Sequence, residues 1–313
     1  MKVSIIEPLG VSDEILDRLS NEIKKKGVEI VRYGAIKESP ALEDRIKDAD
    51  IVILANTKFD LNAIHAAKRL KMISVAFTGV DHIDLAYCRE RKIIVSNAAG
   101  YSTHSVAEHT FGLVFAVVRK IVDGDKASRN SGSRVIGHEL FGKTFGIIGT
   151  GRIGCEVAKI ANAFGCKVIA YSRTRRKEIE SIVEYVSLER LLRESDIVSL
   201  HVPLNDETRN LIDGKKIELM KKDAILINTS RGLVIDSKSV ANALREGRLA
   251  GLGADVLEME PPYPKEHPLL NCPNTVITPH VAYATHEALE MRAKIAFENV
   301  IKYLEGNPQN IVV

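Results

Sequence analysis

Residues 143–154 read Lys143-Thr144-Phe145-Gly146-Ile147-Ile148-Gly149-Thr150-Gly151-Arg152-Ile153-Gly154. Gly149, Gly151 and Gly154 stand in G-x-G-x-x-G spacing, a pattern that means little without its context. Here the context is specific. Phe145–Ile148 is a short apolar run of strand type, and from Arg152 onward Ile153, Val157, Ile160, Ala161 and Phe164 recur at helical spacing up to Gly165. In a strand–turn–helix unit the first glycine makes the tight turn and the second lets the backbone approach a pyrophosphate. The third lets the helix pack on the strand. The helix start then offers free N–H groups and a partial positive charge to the phosphates. The stretch predicts a dinucleotide site at the first turn of a doubly wound sheet.

The next strand, Val168–Tyr171, bears on which dinucleotide. An NAD site usually has Asp or Glu about 20 residues on, at the strand tip, for the ribose hydroxyls. This tip reads Ser172-Arg173-Thr174-Arg175-Arg176-Lys177 instead, a hydroxyl followed by a cluster of cations. A guanidinium fork suits a phosphate, so the expectation is NADP preferred and NAD possible, with Ser172, Arg173 and Thr174 as contacts. The competing reading makes Arg175, Arg176 and Lys177 a solvated helix start.

Outward in both directions the chain alternates strands and amphipathic helices. Val3–Ile6, Val28–Val31, Ile51–Leu54, Met72–Val75 and Ile93–Val95 precede the glycine-rich turn. Ile197–Val202, Ala224–Ile227, Leu252–Val256 and Val276–Ile277 follow it. Thr103–Lys120 reads as a long, mostly apolar helix, a polar stretch covers Asp123–His138, and Thr285–Leu304 forms a closing helix. Such alternation builds parallel sheets covered on both faces. With 313 residues, about two domains are expected. The predicted division is residues 1–98 plus 284–313 for one and 99–283 for the other.

Composition excludes several classes. Lys and Arg number 44 against 41 Asp and Glu, so +3 net, and 45% hydrophobic with 27% charged residues is ordinary globular composition. No basic excess or aromatic-laced basic stripe points to nucleic acid. The longest apolar run, Phe111–Val118, is far below the roughly 18 residues that span a bilayer. Glu7 and Pro8 interrupt the place where a secretory signal needs its apolar core. Cys88, Cys155, Cys166 and Cys272 are too scattered for a CxxC pair, which reads as reduced thiols in a cytoplasm. His104 and His109 are five apart, so they do not share a helix face, and with no Cys or carboxylate completing a set no metal site is expected. His201 reads as a cofactor-wall residue; His65, His82, His138, His267 and His286 read as surface or packing residues.

Three segments just past strand ends carry the remaining chemistry: Asn228-Thr-Ser-Arg231-Gly232, Asp255-Val-Leu-Glu-Met-Glu260-Pro-Pro, and Thr278-Pro-His280-Val-Ala-Tyr-Ala. Ligands of open α/β sheets bind beyond the carboxyl ends of the strands, so all three belong to one crevice. Singly each reads as a surface Arg, a capping Asp or a core His; together, beside a dinucleotide turn, they are a strong signal.

With Gly-Thr-Gly-Arg-Ile-Gly, His201-Val-Pro-Leu, Asn-Thr-Ser-Arg-Gly, Asp-Val-x5-Pro and Pro-His280 in order, nearly the whole chain resembles the D-isomer-specific 2-hydroxyacid dehydrogenases. Gly100-Tyr-Ser-Thr-His-Ser-Val-Ala-Glu-His109 and Pro-His-Val-Ala-Tyr-Ala-Thr look most like glycerate dehydrogenases, the hydroxypyruvate and glyoxylate reductases. The resemblance implies a flavodoxin-like substrate domain and a Rossmann cofactor domain, a homodimer, and Arg231, Glu260 and His280 as the catalytic set. On that implication a 2-keto acid receives a hydride at C2 and a proton at the carbonyl oxygen: His280 can supply the proton, Glu260 can orient its ring, and the Arg231 fork can bind the carboxylate and polarise the carbonyl. It implies substrate contacts from Thr78, Gly79, Val80, Tyr101, Arg231 and His280. Cofactor contacts would come from Val106, Gly149, Gly151, Arg152, Ile153, Gly154, Val202, Pro203, Thr208, Thr229, Ser230, Arg231, Asp255 and His280. Asp255 could hold the nicotinamide amide, orient Arg231, or serve structure alone. Two departures stand out: Ser172 replaces the usual strand-tip Asp, and the Trp often found in the loop before the glycine-rich strand is absent. The apolar helix from Thr103 would be a dimer interface or core.

The expected activity is reduction of a small 2-keto acid such as hydroxypyruvate or glyoxylate to the D-2-hydroxy acid. D-lactate or D-3-phosphoglycerate dehydrogenase is the sibling alternative. Formate dehydrogenase is disfavoured, because relatives with that activity carry Gln where Glu260 stands. A non-enzymatic, dinucleotide-sensing corepressor resembling the C-terminal-binding proteins would keep the same Arg, Glu and His.

Overall fold

A computed structural model describes residues 1–36, 41–130 and 132–313. It resolves into two units: residues 1–102 with 284–313, and residues 103–283. The first contains β1 (Lys2–Ile5), α1 (Asp13–Lys24), β2 (Glu29–Arg32), α2 (Leu42–Ile46), β3 (Ile51–Leu54), α3 (Leu61–Ala66), β4 (Met72–Val75), α4 (Leu85–Glu90) and β5 (Ile94–Asn97). Its five strands are parallel in the order β2-β1-β3-β4-β5, the flavodoxin-like winding. β3 and β4 are buried at every residue, as central strands covered on both faces must be. Ser12 caps α1 by accepting from Ile15 N, and Gly27, at φ +75°, takes the left-handed turn after it.

The second unit contains α5 (Thr103–Val118), α6 (Ile121–Arg129), β6 (Thr144–Ile148), α7 (Arg152–Ala163), β7 (Lys167–Tyr171), β8 (Val183–Tyr185), α8 (Leu188–Glu194), β9 (Ile197–Leu200), α9 (Gly214–Ile217), β10 (Ile225–Asn228), α10 (Ser237–Arg245), β11 (Gly251–Ala254) and β12 (Thr275–Ile277). The strand order is β12-β11-β10-β9-β6-β7-β8, all parallel. Winding reverses between β6 and β9, the switch point at which doubly wound sheets hold dinucleotides. Alternate residues of each strand feed opposite faces. Phe145 and Ile147 join Val168 and Ala170 on one side, whereas Ile148, Ile169, Val198 and Leu200 pack on the other.

After β12 the chain returns to the first unit, where α11 (His286–Leu304), capped by Thr285, packs against β4 and α1. Four local expectations need revision. The polar stretch after Asp123 contains most of α6, a helix with no buried residue and hence no apolar period to read. β8 is a three-residue edge strand too short to announce itself. The strands expected to run to Val202 and Val256 stop at Leu200 and Ala254. Phe164 lies past the end of α7 and is 43% exposed instead of joining its buried face.

Candidate active site

At the switch point the glycines are required by close approach. Gly149 has φ +98°, and a Cβ there would stand 2.5 Å from the His201 carbonyl oxygen at the end of β9. A Cβ on Gly154 would overlap the Gly149 carbonyl oxygen. Gly151 differs: it is the N-cap of α7, its side-chain direction is empty to 4 Å, and no side chain caps the helix. The first-turn N–H groups of Arg152, Ile153 and Gly154 are thus capped by no side chain, and the N-cap has open space beside it, the properties a phosphate cradle needs. The residues present fit a dinucleotide.

Beside this turn lies a cleft of about 330 Å³. The expected Gly149, Gly151, Ser172, Arg173, Thr174, Val202, Pro203 and Thr208 all line it. So do Thr150, Tyr171, Arg176, His201, Glu207 and Leu211, of which His201 was anticipated as a wall residue and Arg176 as part of the cation cluster. The cation cluster divides. Arg173 points its Nη1 at Glu207 Oε2, 3.0 Å away, with both side chains exposed. Arg176 Nε donates to the Thr150 carbonyl, and Arg175 lies over the Tyr185 ring, while Lys177 begins a 3₁₀ turn. Only Arg173 and Arg176 of the cluster line the cleft. Thr208 Oγ1 donates to the Pro203 carbonyl and folds the loop after β9 back on itself. His201 shares a 2.8 Å hydrogen bond with Ser199 Oγ, and burial pushes its imidazole down to about 3, so the wall it forms is uncharged near neutrality.

Farther along the same sheet edge, Thr229, Ser230 and Arg231 follow β10. Asn228 organises this turn: its Oδ1 accepts from Ser230 N and Oγ, and its Nδ2 donates to the Arg231 carbonyl. Gly232 has no room for a Cβ against the Leu257 carbonyl, which packs the Arg231 turn onto the segment after β11. Val106 and Thr110 of α5 are buried, and Thr110 Oγ1 lies 2.9 Å from Thr229 Oγ1.

Asp255 follows β11 and is 1% exposed. Its Oδ1 accepts from Thr278 Oγ1 at 2.6 Å and Val281 N at 2.9 Å, and its Oδ2 from Ala282 N at 2.8 Å. Its carboxylate is thus spent on the loop that carries His280. His280 itself has φ +56°, a left-handed backbone that a non-glycine residue adopts at a cost of roughly 1–2 kcal/mol. Its backbone N donates to Asp255 O, and its Nδ1 lies 2.9 Å from both oxygens of Glu260. The ring is one-quarter exposed and Glu260 largely exposed. Tyr263 stands close by, its phenol pushed up by burial and by the charges of Glu260 and Asp255, hence protonated.

Of the expected substrate residues, Thr78, Gly79, Val80 and Tyr101 belong to the first unit. Thr78–Val80 follow β4, and Asn97 Nδ2 donates to the Thr78 carbonyl. Tyr101 is 7% exposed, edge-on to Phe77. Among the described residues no group of three or more His, Cys, Asp or Glu side chains could hold a metal ion. None of the described helices is long and apolar enough to cross a membrane. Two residues that sequence reasoning passed over also matter: Glu207, within a polar loop, and His109, on α5, whose Nε2 lies 2.9 Å from Thr278 Oγ1.

Residues 111–282 match the family model described as D-isomer specific 2-hydroxyacid dehydrogenase, NAD binding domain. A glyoxylate reductase of Korarchaeum cryptofilum is 41% identical over 314 residues, covering 96% of this chain and 94% of that one. Among solved structures, an acyclic imino acid reductase in complex with NADPH and D-Arg superposes with a TM-score of 0.88 at 35% identity over all of both chains. A D-lactate dehydrogenase from Aquifex aeolicus, complexed with NAD and lactic acid, gives 0.85 at 32% identity over 98% of this chain and 96% of that one. The glycine-rich switch point, the three loops beyond β10, β11 and β12, and similarity along nearly the full chain converge: this protein belongs to the D-isomer-specific 2-hydroxyacid dehydrogenases, oxidoreductases that use a nicotinamide dinucleotide on 2-hydroxy and 2-keto acids.

Proposed function

We propose that the chain reduces a small 2-keto acid, glyoxylate or hydroxypyruvate, to the D-2-hydroxy acid, with NADPH preferred over NADH. The observation that carries the chemistry is the His280–Glu260 pair at 2.9 Å. A bound nicotinamide supplies the hydride. Glu260 engages Nδ1 and leaves Nε2 to present a proton to the carbonyl oxygen, and Arg231 holds the substrate carboxylate and polarises the carbonyl. The family resemblance assigns the other carboxylate oxygen to the backbone N–H groups of Gly79 and Val80, which belong to the first unit. In this reading residues 1–98 with 284–313 form the substrate domain and residues 99–283 the cofactor domain.

Small-substrate preference is supported by the glyoxylate reductase at 41% identity. NADPH preference is supported by Ser172 at the tip of β7 and by Arg173 and Arg176 on the cleft wall. A panel of 2-keto acids assayed with each cofactor tests both. Glyoxylate and hydroxypyruvate are expected to lead pyruvate by at least about tenfold in kcat/KM. Tight cofactor binding without turnover of any member would instead favour the dinucleotide-sensing alternative.

The protein works as a cytoplasmic homodimer in this reading. The four cysteines are free, which supports a reducing compartment. Phe111, Leu113, Val114 and Val117 of α5 pack into the core of its own unit, so its apolarity is accounted for as core. The surface for a second copy is the apolar set that follows it, Ile136 and Phe141 at 84% and 78% exposed with Ile121 and Val135. Light scattering giving a monomer mass at micromolar concentration would remove the dimer.

A further inference from the structure

We infer that His109 of α5 is a positioning residue for the proton donor, acting through Thr278 and Asp255 on the loop that holds His280. The inference deepens the proposed function and rests on its assignment of His280. Thr278 carries a single hydroxyl hydrogen, committed at 2.6 Å to Asp255 Oδ1. A carboxylate oxygen can only accept, so the Thr278 oxygen has only lone pairs left for His109 Nε2, 2.9 Å away. His109 must donate there, which fixes its proton on Nε2. The same Nε2 lies 3.5 Å from Asp255 Oδ1, so its polarity suits both acceptors. The chain of donors then runs His109 to Thr278 to Asp255.

Asp255 is where this chain meets the proposed chemistry. Besides Thr278 it accepts from the backbone N–H of Val281 and Ala282, the two residues after His280, and its carbonyl accepts from His280 N. These bonds bracket a residue held at φ +56°. A left-handed non-glycine backbone persists only when its surroundings over-determine it, and here they do so through one buried carboxylate. Removing the His109 donor leaves the Thr278 hydroxyl free to rotate towards another acceptor and loosens the pivot beneath His280. The neighbouring residue on α5, Thr110, makes the corresponding contact to Thr229 after β10, so one turn of α5 braces the loops of both Arg231 and His280.

The test compares His109→Leu, His109→Gln and Thr278→Val with wild type and with His280→Ala, measuring kcat and KM for glyoxylate and the Kd of NADPH. A misaligned proton donor is expected to cost about 10- to 100-fold in kcat for His109→Leu, with substrate KM within about threefold and cofactor Kd within about twofold. Gln can place an amide N–H where the imidazole Nε2–H was, so His109→Gln is expected to recover most of the loss. Thr278→Val removes the same bridge without changing volume, and with His109→Leu the two losses should not multiply. A kcat within twofold of wild type for both His109→Leu and Thr278→Val would overturn the inference. So would a loss in kcat that merely tracks a loss in cofactor affinity, or no recovery with Gln. If His280→Ala itself retains kcat, the assignment of His280 fails, a result distinct from failure of His109 alone.

Discussion

His280 Nδ1 lies 2.9 Å from each carboxylate oxygen of Glu260, so one ring nitrogen is shared between two acceptors twenty residues away in the chain. The symmetric contact sets the ring's orientation whichever oxygen carries the bond at a given moment. It also leaves Nε2 as the nitrogen not engaged by Glu260. The two residues stand on different loops, beyond β11 and β12, yet their bond defines one functional direction.

On the proposed reading, removing either partner separates orientation from proton supply. His280→Ala is expected to lower kcat by about 100-fold or more while cofactor Kd changes less than about twofold. Glu260→Gln keeps one acceptor oxygen and is expected to cost less, about tenfold. Steady-state kinetics with fluorescence titration of NADPH checks both, and equal loss of turnover and cofactor affinity in His280→Ala would contradict a proton-donor role.

On the proposed reading, cofactor choice turns on Ser172, Arg173 and Glu207. Glu207 occupies Arg173 in an exposed ion pair, an interaction generally worth no more than about 1 kcal/mol, so a phosphate can take the guanidinium over. Ser172→Asp is expected to weaken NADPH relative to NADH by about tenfold or more through unpaired negative charge. Glu207→Gln is expected to tighten NADPH by about threefold and leave NADH nearly unchanged. Calorimetric titration of both cofactors decides; unchanged ratios in both variants would mean that Arg173 does not read the phosphate.

The two outer glycines of the turn and the middle one should fail differently. Gly154→Ala drives a methyl group into the Gly149 carbonyl and is expected to lower the melting temperature by several degrees, in line with a loss of about 2–3 kcal/mol or more. Gly151→Ala meets no protein atom within 4 Å, so its melting temperature should stay near wild type. Its methyl group would stand where the proposed reading places the pyrophosphate, and cofactor Kd is expected to rise by about tenfold or more. Thermal melts with and without NADPH distinguish the two variants, and a Gly151→Ala protein with normal affinity would remove the cradle from the site.

His201 predicts an acid-side stability slope. Its imidazole is pushed from 6.5 down to about 3 in the folded protein, so below pH 6.5 the unfolded chain takes up a proton that the folded chain refuses. Stability from this group is present above pH 6.5 and is lost progressively as pH falls towards 3. Urea unfolding between pH 7 and pH 5 should show it, before most carboxylates titrate at about 4. His201→Asn is expected to flatten the slope, and an undiminished slope would assign the pH dependence elsewhere.

Much of this molecule was legible because its signals are local. The turn at Gly149–Gly154, the strand before it and the apolar period after it lie within some twenty consecutive residues, and short-range sterics dictate their conformation. The strand-end positions of Arg231, Asp255 and His280 were readable for the same reason, since each lies within a few residues of an apolar run. Helix α6 and strand β8 were not, one lacking a buried face and the other only three residues long.

The sequence alone determined which residue types stand at the ends of which strands, and through them the winding of both sheets and the family. Tertiary structure alone decided how those ends meet. It set Glu207 against Arg173 across 34 residues, bonded the Asp255 carboxylate to the loop that carries His280, and brought His109 to Thr278 across 169. These are hydrogen bonds between elements brought together only by packing of the sheet and its helices, and a hydrogen bond carries no periodicity along the chain from which to read it.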